Sequence, residues 1–313
     1  MTGAARAPML GVVTDQGIAA GPAAHCLAAA ASAARRAAAA SGVRIRALTE
    51  LPDLERIYRL YERIWRPDPG NPPITTEFMR ALAHSGNYVA GAYVGSDLVG
   101  ACIGFFASPP GQALHSHVAG VDARMRGRNV GFALKAHQRA WALDRGLTVI
   151  TWTFDPLVRR NAYFNLAKLA ARPHSYLPDF YGQMNDGING NGDSDRLLVQ
   201  WRLADPAVER ACDGQPPGLD AGPLRAADGA VALDADSHGL PVTAAPGAAT
   251  LLVRIPPDIE ALRAESAAQA RAWRSAVRQV LGGLMADGGQ VIGFDRAGWY
   301  VVSRGPVPAA TGA

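Results

Sequence analysis

Residues 118–138, VAGVDARMRGRNVGFALKAHQ, carry a β-branched strand into an arginine-rich loop and then into a helix. This segment limits the fold more than any other. A strand that ends in a tight loop at a helix N-terminus leaves unpaired backbone N–H groups at one end of a sheet. Arg126, Gly127, Arg128, Asn129, Val130 and Gly131 would supply those groups, and the helix dipole adds partial positive charge. Arg124, Arg126 and Arg128 add full charges with planar donor forks suited to phosphate oxygens. The layout predicts an anion cradle for a diphosphate. Taken alone, the same string would be a strand–turn–helix corner with solvated arginines.

Bulk properties narrow the classes. A chain of 313 residues buries a sizeable core and suggests one or two domains. Its 49% hydrophobic content is raised by alanine, and no apolar run is long enough to span a bilayer. Residues 19–40 are Ala-rich but are interrupted by Gly21, Pro22, His25, Arg35 and Arg36, which does not make a signal peptide. Cys26, Cys102 and Cys212 lie far apart, which fits a reducing cytoplasm and gives no zinc site. The net charge of +4 suits an anionic ligand. The basic residues are dispersed and form no ladder with aromatics, so neither a nucleic-acid nor a membrane partner is expected.

Alternating strand and helix signals predict an α/β (α+β) fold with a mixed central sheet flanked by helices. Residues 1–42 are low in complexity and read as a mobile arm with a helix near 23–40. Residues 43–203 form the main domain. Residues 204–248, dense in Ala, Gly, Pro and Asp, read as a linker. Residues 249–313 form a small α+β extension, too small to hold much core alone and so packed on the main sheet. In the main domain, strands are predicted at 43–48, 87–94, 98–107, 113–121, 147–154, 176–182 and 197–203. Helices are predicted at 51–65, 75–85, 129–145 and 159–171. Pro67-Asp68-Pro69-Gly70 and Pro72-Pro73 separate the first two helices. The extension carries a strand at 250–255, an amphipathic helix at 266–285 and a closing hairpin over 290–303.

His115-Ser116-His117 lies in the strand before the cradle. Alternate strand residues share a face, so both imidazoles project together. A lone histidine would be read as structural; two on one face beside a cradle can also transfer protons. Asp155-Pro156 and Arg159-Arg160 end the strand that carries Trp152. They either shape a pocket or cap a helix at Asp155. Asp193, Asp195 and Arg196 sit in a polar loop, where they either grip the charged ends of a substrate or form an internal ion pair. The Asp/Asn spacing does not match an EF-hand, so no calcium is expected, and no other metal. Cys102 reads as a core residue.

Val121 to Gly131 resembles the coenzyme A diphosphate-binding pattern V-x-P-x-x-[QR]-x-x-G-x-[GA] of the GNAT acyltransferase superfamily. Val121 is the strand-end residue, Arg126 the [QR] and Gly131 the last glycine. Ala123 replaces the proline and Asn129 the inner glycine; asparagine is the next most tolerant residue of the left-handed region. NAYFNLAKL, from Asn161 to Leu169, resembles a shortened N-x-x-A-x-x-L-Y-x-x-L-G segment of the same superfamily. There Asn161 matches the residue that contacts the pantetheine arm. The tyrosine position falls on Leu166 or Lys168, according to register. HSHVAGV resembles the H-x-H strand of aralkylamine N-acetyltransferases, where such histidines serve as base. More closely, the chain is similar to a bacterial subgroup of GNAT proteins with HSH-x-x-GV, RGR-x-VG, ITWTFDPL, RNA-x-FNL, SDRL and IPPDIEAL strings. Some of its relatives are associated with N-acylation of amino acids, including succinyl transfer.

The resemblance covers roughly residues 43–303 and implies a GNAT fold and acyl transfer. It implies acetyl-CoA or another acyl-CoA as co-substrate, held by Ala119, Gly120, Val121, Arg126, Gly127, Arg128, Asn129, Val130, Gly131 and Asn161. It implies direct transfer with His115 or His117 as base, and backbone donors near Ala119 and Gly120 for the oxyanion. The leaving thiolate needs little acid help, because a thiol pKa is only about 8.5. Tyr163, Tyr176 or Tyr181 could still donate, Tyr181 being the first choice. Asp195 and Arg196 are the substrate-facing pair. The acceptor is a small-molecule amine or amino acid and the setting is cytoplasmic, with a homodimer left open. The same residues also admit a non-catalytic acyl-CoA-binding module, an O-acyltransferase or decarboxylase on the same fold, or an interaction protein using the Ala-rich arm.

Overall fold

The computed structural model describes residues 22–67, 72–182, 192–226 and 230–305. Residues 1–21 of the expected arm and most of the 185–195 loop lie outside them. The rest of the arm holds the expected helix. Pro22–Ala40 is one helix (α1), as a run of strong helix formers behind a proline start dictates. Cys26, Ala30, Ala33 and Ala34 are buried along it, because small side chains let it lie close on the helix beneath.

The main sheet is built from Arg44–Ala47 (β1), Tyr88–Val94 (β2), Asp97–Ala107 (β3), Ala113–Val121 (β4), Val149–Phe154 (β5), Arg172–Leu177 (β6) and Arg196–Arg202 (β7). Their spatial order is β1-β2-β3-β4-β5-β7-β6. β4 and β5 run parallel, and the other neighbours run antiparallel. Leu51–Trp65 (α2) and Thr76–His84 (α3) cover one face. Leu54, Ile57, Leu60 and Tyr61 of α2 are buried there with Val89, Tyr93, Ala101 and Ile103. Thr75 caps α3 by accepting from the Phe78 amide at 3.2 Å. Val130–Asp144 (α4) covers the other face and carries α1 on its back.

Arg159–Ala162 (α5) continues as a π-helical turn over Tyr163–Lys168. The helix expected to reach 171 therefore stops early, and the next strand starts at Arg172 rather than 176. Ala170 turns the chain at φ 54°.

The stretch 204–248, expected as a linker, holds Pro206–Cys212 (α6), Gly222–Ala226 (α7), Val231–Ala235 (β8) and Pro241–Thr243 (β9). Its Ala/Gly/Pro/Asp composition hides the short apolar run Val231-Ala232-Leu233, in which Leu233 is fully buried. Thr250–Arg254 (β10), Gln290–Asp295 (β11) and Trp299–Ser303 (β12) join β8 and β9 in a second sheet, ordered β11-β12-β10-β8-β9. Ile259–Glu265 (α8) and Ala267–Val277 (α9) lead into a second π turn at Arg278–Gly282 and a short helix, Gly283–Ala286 (α10). One cluster of buried side chains runs from Ala33 of α1 to Val302 of β12, so the two sheets share a core. Among the described residues no helix is long and apolar enough to cross a membrane.

Candidate active site

The parallel pairing of β4 with β5 ends at His115 and Thr151. Beyond that point β4 runs on to Val121 paired with β3, while β5 runs on to Phe154 paired with β7. The strands diverge and a wedge opens between them. The Asp122 amide bonds the Val99 carbonyl of β3 at 2.8 Å. Strand alternation then turns the Gly120 amide toward β3 as well, and the Ala119 and Val121 amides toward the wedge. The expected oxyanion pair is thus divided: Ala119 faces the opening and Gly120 does not. Gly120 is needed for packing instead, since a Cβ there would meet Trp65 at 2.6 Å and Ile64 at 2.9 Å.

The cradle closes the wide end. Asp122 accepts from the Arg124 amide and folds residues 123–125 into a single 3₁₀ turn. Gly127 and Asn129 both take positive φ, 78° and 58°. Asn129 therefore does fill the conformation expected of the inner glycine. Two of the six expected amides are spent inside the loop: Arg126 N–H bonds Ala123 O and Arg128 N–H bonds Met125 O. Among the described residues the amides of Gly127, Asn129, Val130, Gly131 and Phe132 meet no backbone acceptor. A Cβ on Gly131 would have only ordinary contacts, 3.8 Å to Val121 and 3.9 Å to Phe164, so packing alone does not demand glycine there. All three arginines are exposed; Arg124 is held by Asp122 at 3.0 Å and Arg128 lies against Met125, while Arg126 stands at the rim. Lys168 of the π turn reaches in from the other side, its Nζ donating to Asn129 Oδ1 at 2.8 Å.

At the narrow end lie the two histidines. Ile103 pairs with Val118 and Gly104 with Ser116, so His117 is the extra residue of a β-bulge. The rings of His115 and His117 are 6.3 Å apart, and both lie against Phe105, at 5.2 and 5.8 Å. His115 Nδ1 lies 3.2 Å from Thr151 Oγ1. Burial, then His117, then the Lys135 ammonium pull the His115 pKa from 6.5 down to about 4. Burial also lowers His117, while the Pro73 backbone works the other way.

Of the three tyrosines, Tyr181 reaches the wedge: its hydroxyl lies 3.1 Å from Thr153 Oγ1, two residues along β5 from Thr151. Tyr176 is tied to Asp195 at 2.6 Å, and burial followed by that carboxylate pushes its pKa far up. The Tyr163 ring lies under Arg296 of the second half. Asn161 is half-buried on the first turn of α5. The expected substrate pair separates. Asp195 is fully buried and bound by Tyr176, the Asp179 amide and Arg278, so it is an internal ion-pair residue. Arg196 is also buried, with its guanidinium 5.3 Å from the Tyr181 ring. Asp155 likewise belongs to the interior. It caps the turn after β5 through the Leu157 amide and is held by Arg274 and Arg263.

Sequence reasoning passed over three groups. Thr151 and Thr153 had a signal, their alternation around Trp152. Lys135 had none, since it sits in an ordinary helical pattern. Its Nζ is buried, donates to Ser116 Oγ and Gln138 Oε1 at 3.0 Å each, and stands 3.6 Å from the Trp152 ring.

Residues 25–163 match the family model described as an Acetyltransferase (GNAT) domain. Similar solved structures include the ribosomal-protein-S18-alanine N-acetyltransferase of Escherichia coli, at 14% identity and a TM-score of 0.42, covering 51% of this chain and 94% of that one. An N-acetyltransferase of Staphylococcus aureus Mu50 is 15% identical with a TM-score of 0.44, covering 51% and 98%. A GNAT family acetyltransferase of Elizabethkingia anophelis with acetyl-CoA bound is 14% identical with a TM-score of 0.39, again covering 51% and 98%. No curated protein matches the chain. Residues 25–163, the stretch that matches the GNAT acetyltransferase domain model, hold the splayed strands, the histidine pair and the cradle.

Proposed function

We propose that the chain is an acyl-CoA-dependent N-acyltransferase that moves an acetyl or other short acyl group to the amine of a small molecule or amino acid. The observation that carries this reading is the wedge itself: open amides at its wide end and two imidazoles at its closed end. The amides of Gly127 and Asn129 to Phe132, with Arg126 at the rim, suit a diphosphate; Asn161 is assigned to the pantetheine arm by resemblance alone. The co-substrate supplies an acyl group already activated as a thioester.

The chain's own groups do the rest. His117 is the base. A resting pKa of about 4 makes His115 a poor acceptor for an ammonium proton. An α-amino group titrates near 7.7–8.0, so transfer to His115 would cost on the order of 5 kcal/mol. His117, exposed to solvent, can take that proton and release it to water. His115, neutral across the physiological range, orients the amine by hydrogen bonding. The Ala119 amide donates to the oxyanion, and Tyr181 stands by for the leaving thiolate.

The test is thiol release from acetyl-CoA and succinyl-CoA over a panel of amines and amino acids. His117→Ala should lower kcat by about a hundredfold or more, and His115→Ala by less. CoA affinity should hold in both. Tight CoA binding with no thiol release on any amine would instead make the chain a binding module.

A further inference from the structure

The residue that distinguishes this cradle is Asn129. An asparagine at a helix N-cap ordinarily turns its side-chain oxygen back onto the second or third amide of its own helix. Here Asn129 makes no such bond. Its Oδ1 faces the other way and accepts from Lys168 Nζ at 2.8 Å. The first amides of α4 are thereby left open, and an ammonium is held at their edge.

Three further observations bear on that ammonium. The π turn over Tyr163–Lys168 inserts an extra residue into α5, which carries Lys168 toward α4. The same turn places Phe164 near the point where a Gly131 Cβ would stand, at 3.9 Å, so the turn borders the loop along its length. Among the described residues Asn129 is the partner of Lys168, and no carboxylate pairs with it. Of the loop's own cations, Arg124 is neutralised by Asp122, while Arg126 and Arg128 are exposed and, among the described residues, meet no carboxylate. One side of the cradle is therefore served by Arg126 and Arg128 and the opposite side by Lys168.

We infer that Lys168 is a diphosphate-binding residue, held ready by Asn129 and transferred from its Oδ1 to a diphosphate oxygen when CoA binds. The inference rests on the acyl-CoA reading and names the charge that compensates for the missing inner glycine.

The test uses the full chain, with Lys168→Met and Lys168→Arg beside the wild type. CoA and dephospho-CoA are titrated by calorimetry. Pantetheine, which lacks the diphosphate, is followed by amide shifts in NMR spectra. Loss of one charge-assisted bond predicts roughly tenfold to hundredfold weaker CoA binding for Lys168→Met. The loss should be equal for dephospho-CoA, absent for pantetheine, and partly restored in Lys168→Arg. Unchanged CoA affinity in Lys168→Met would overturn the inference while leaving the acyl-CoA reading intact. So would an equal loss for pantetheine, which marks a structural role, or a loss confined to CoA, which marks the 3′-phosphate. Failure of the wild type to bind CoA at all would overturn both.

Discussion

Asn129 holds a left-handed backbone at φ 58° and ψ 20° without a side-chain cap. For an ordinary L-residue that conformation costs about 1–2 kcal/mol. Asn129→Ala should therefore destabilise the chain by about 1 kcal/mol in urea unfolding, whereas Asn129→Gly should lie close to the wild type. Lys135 is a different residue-scale case, a buried ammonium that burial lowers from 10.5 to about 8. A basic group with a depressed folded pKa binds its proton less readily folded than unfolded. The destabilisation is complete below pH 8 and relieved as pH rises toward 10.5. Lys135→Met lacks this group, and shared remote groups cancel in the comparison. Its stability relative to the wild type should thus fall by about 3 kcal/mol between pH 7.5 and 10.5. A flat difference would show that Lys135 titrates normally. His115 follows the same sign at lower pH. Its contribution is whole above pH 6.5 and is lost as pH falls toward 4.

At the scale of elements, the wedge depends on β4 being held in register against α2. Gly120 is the point of closest approach, where a Cβ would lie within 2.6 Å of Trp65. Gly120→Ala should force α2 outward and cost about 1–3 kcal/mol of overpacking. It should also lower kcat by shifting the bulge at His117, while CoA affinity, set by the cradle beyond Val121, stays near wild type. Comparison of Kd by calorimetry with steady-state kcat separates these effects. The same elements show what a sequence can disclose. The strands at 88–94, 97–107 and 113–121 follow from apolar runs cut by the Gly95-Ser96 and Pro109-Pro110-Gly111 turns, and α4 follows from its glycine and arginine flanks. The bulge at His117 could not be read that way, because it exists only as a mismatch with Ile103 and Gly104 on another strand. Nor could the π turn at Tyr163–Lys168, whose helical pattern differs from an α-helix by a single residue. The roles of Ala119 and Gly120 were interchangeable until the Asp122–Val99 bond set which amides face the wedge.

Across the whole molecule, the second half is clamped to the end of the first sheet by arginines that meet carboxylates far away in the chain. Arg274 makes a two-pronged contact with Asp155, at 2.8 and 2.7 Å, and Arg263 adds a third bond at 2.7 Å. Arg278 holds Asp195 and Asp193, and Tyr300 donates to the Pro156 carbonyl at 2.7 Å. Asp155 and Arg274 are 119 residues apart, which is why a local reading left Asp155 between a pocket and a cap. Burial works to raise the Asp155 pKa, but Arg274 and then Arg263 hold it well below the usual carboxylate range. A depressed carboxylate stabilises the fold above its unfolded pKa, near 3.8, and that contribution is lost as pH falls below it. Removing one partner of such a pair leaves a buried charge undercompensated, at a cost of about 3–5 kcal/mol. Arg274→Met should lose that much in urea unfolding. Because one core cluster joins α1 to β12, the loss should appear as a single earlier transition. Two separated transitions, with the second half melting first, would show that the sheets fold independently and that the arginine clamp only docks them. Asp155 lies at the end of β5, two residues past Thr153. A loosened clamp should therefore also reach the wedge and reduce thiol release before the main transition begins.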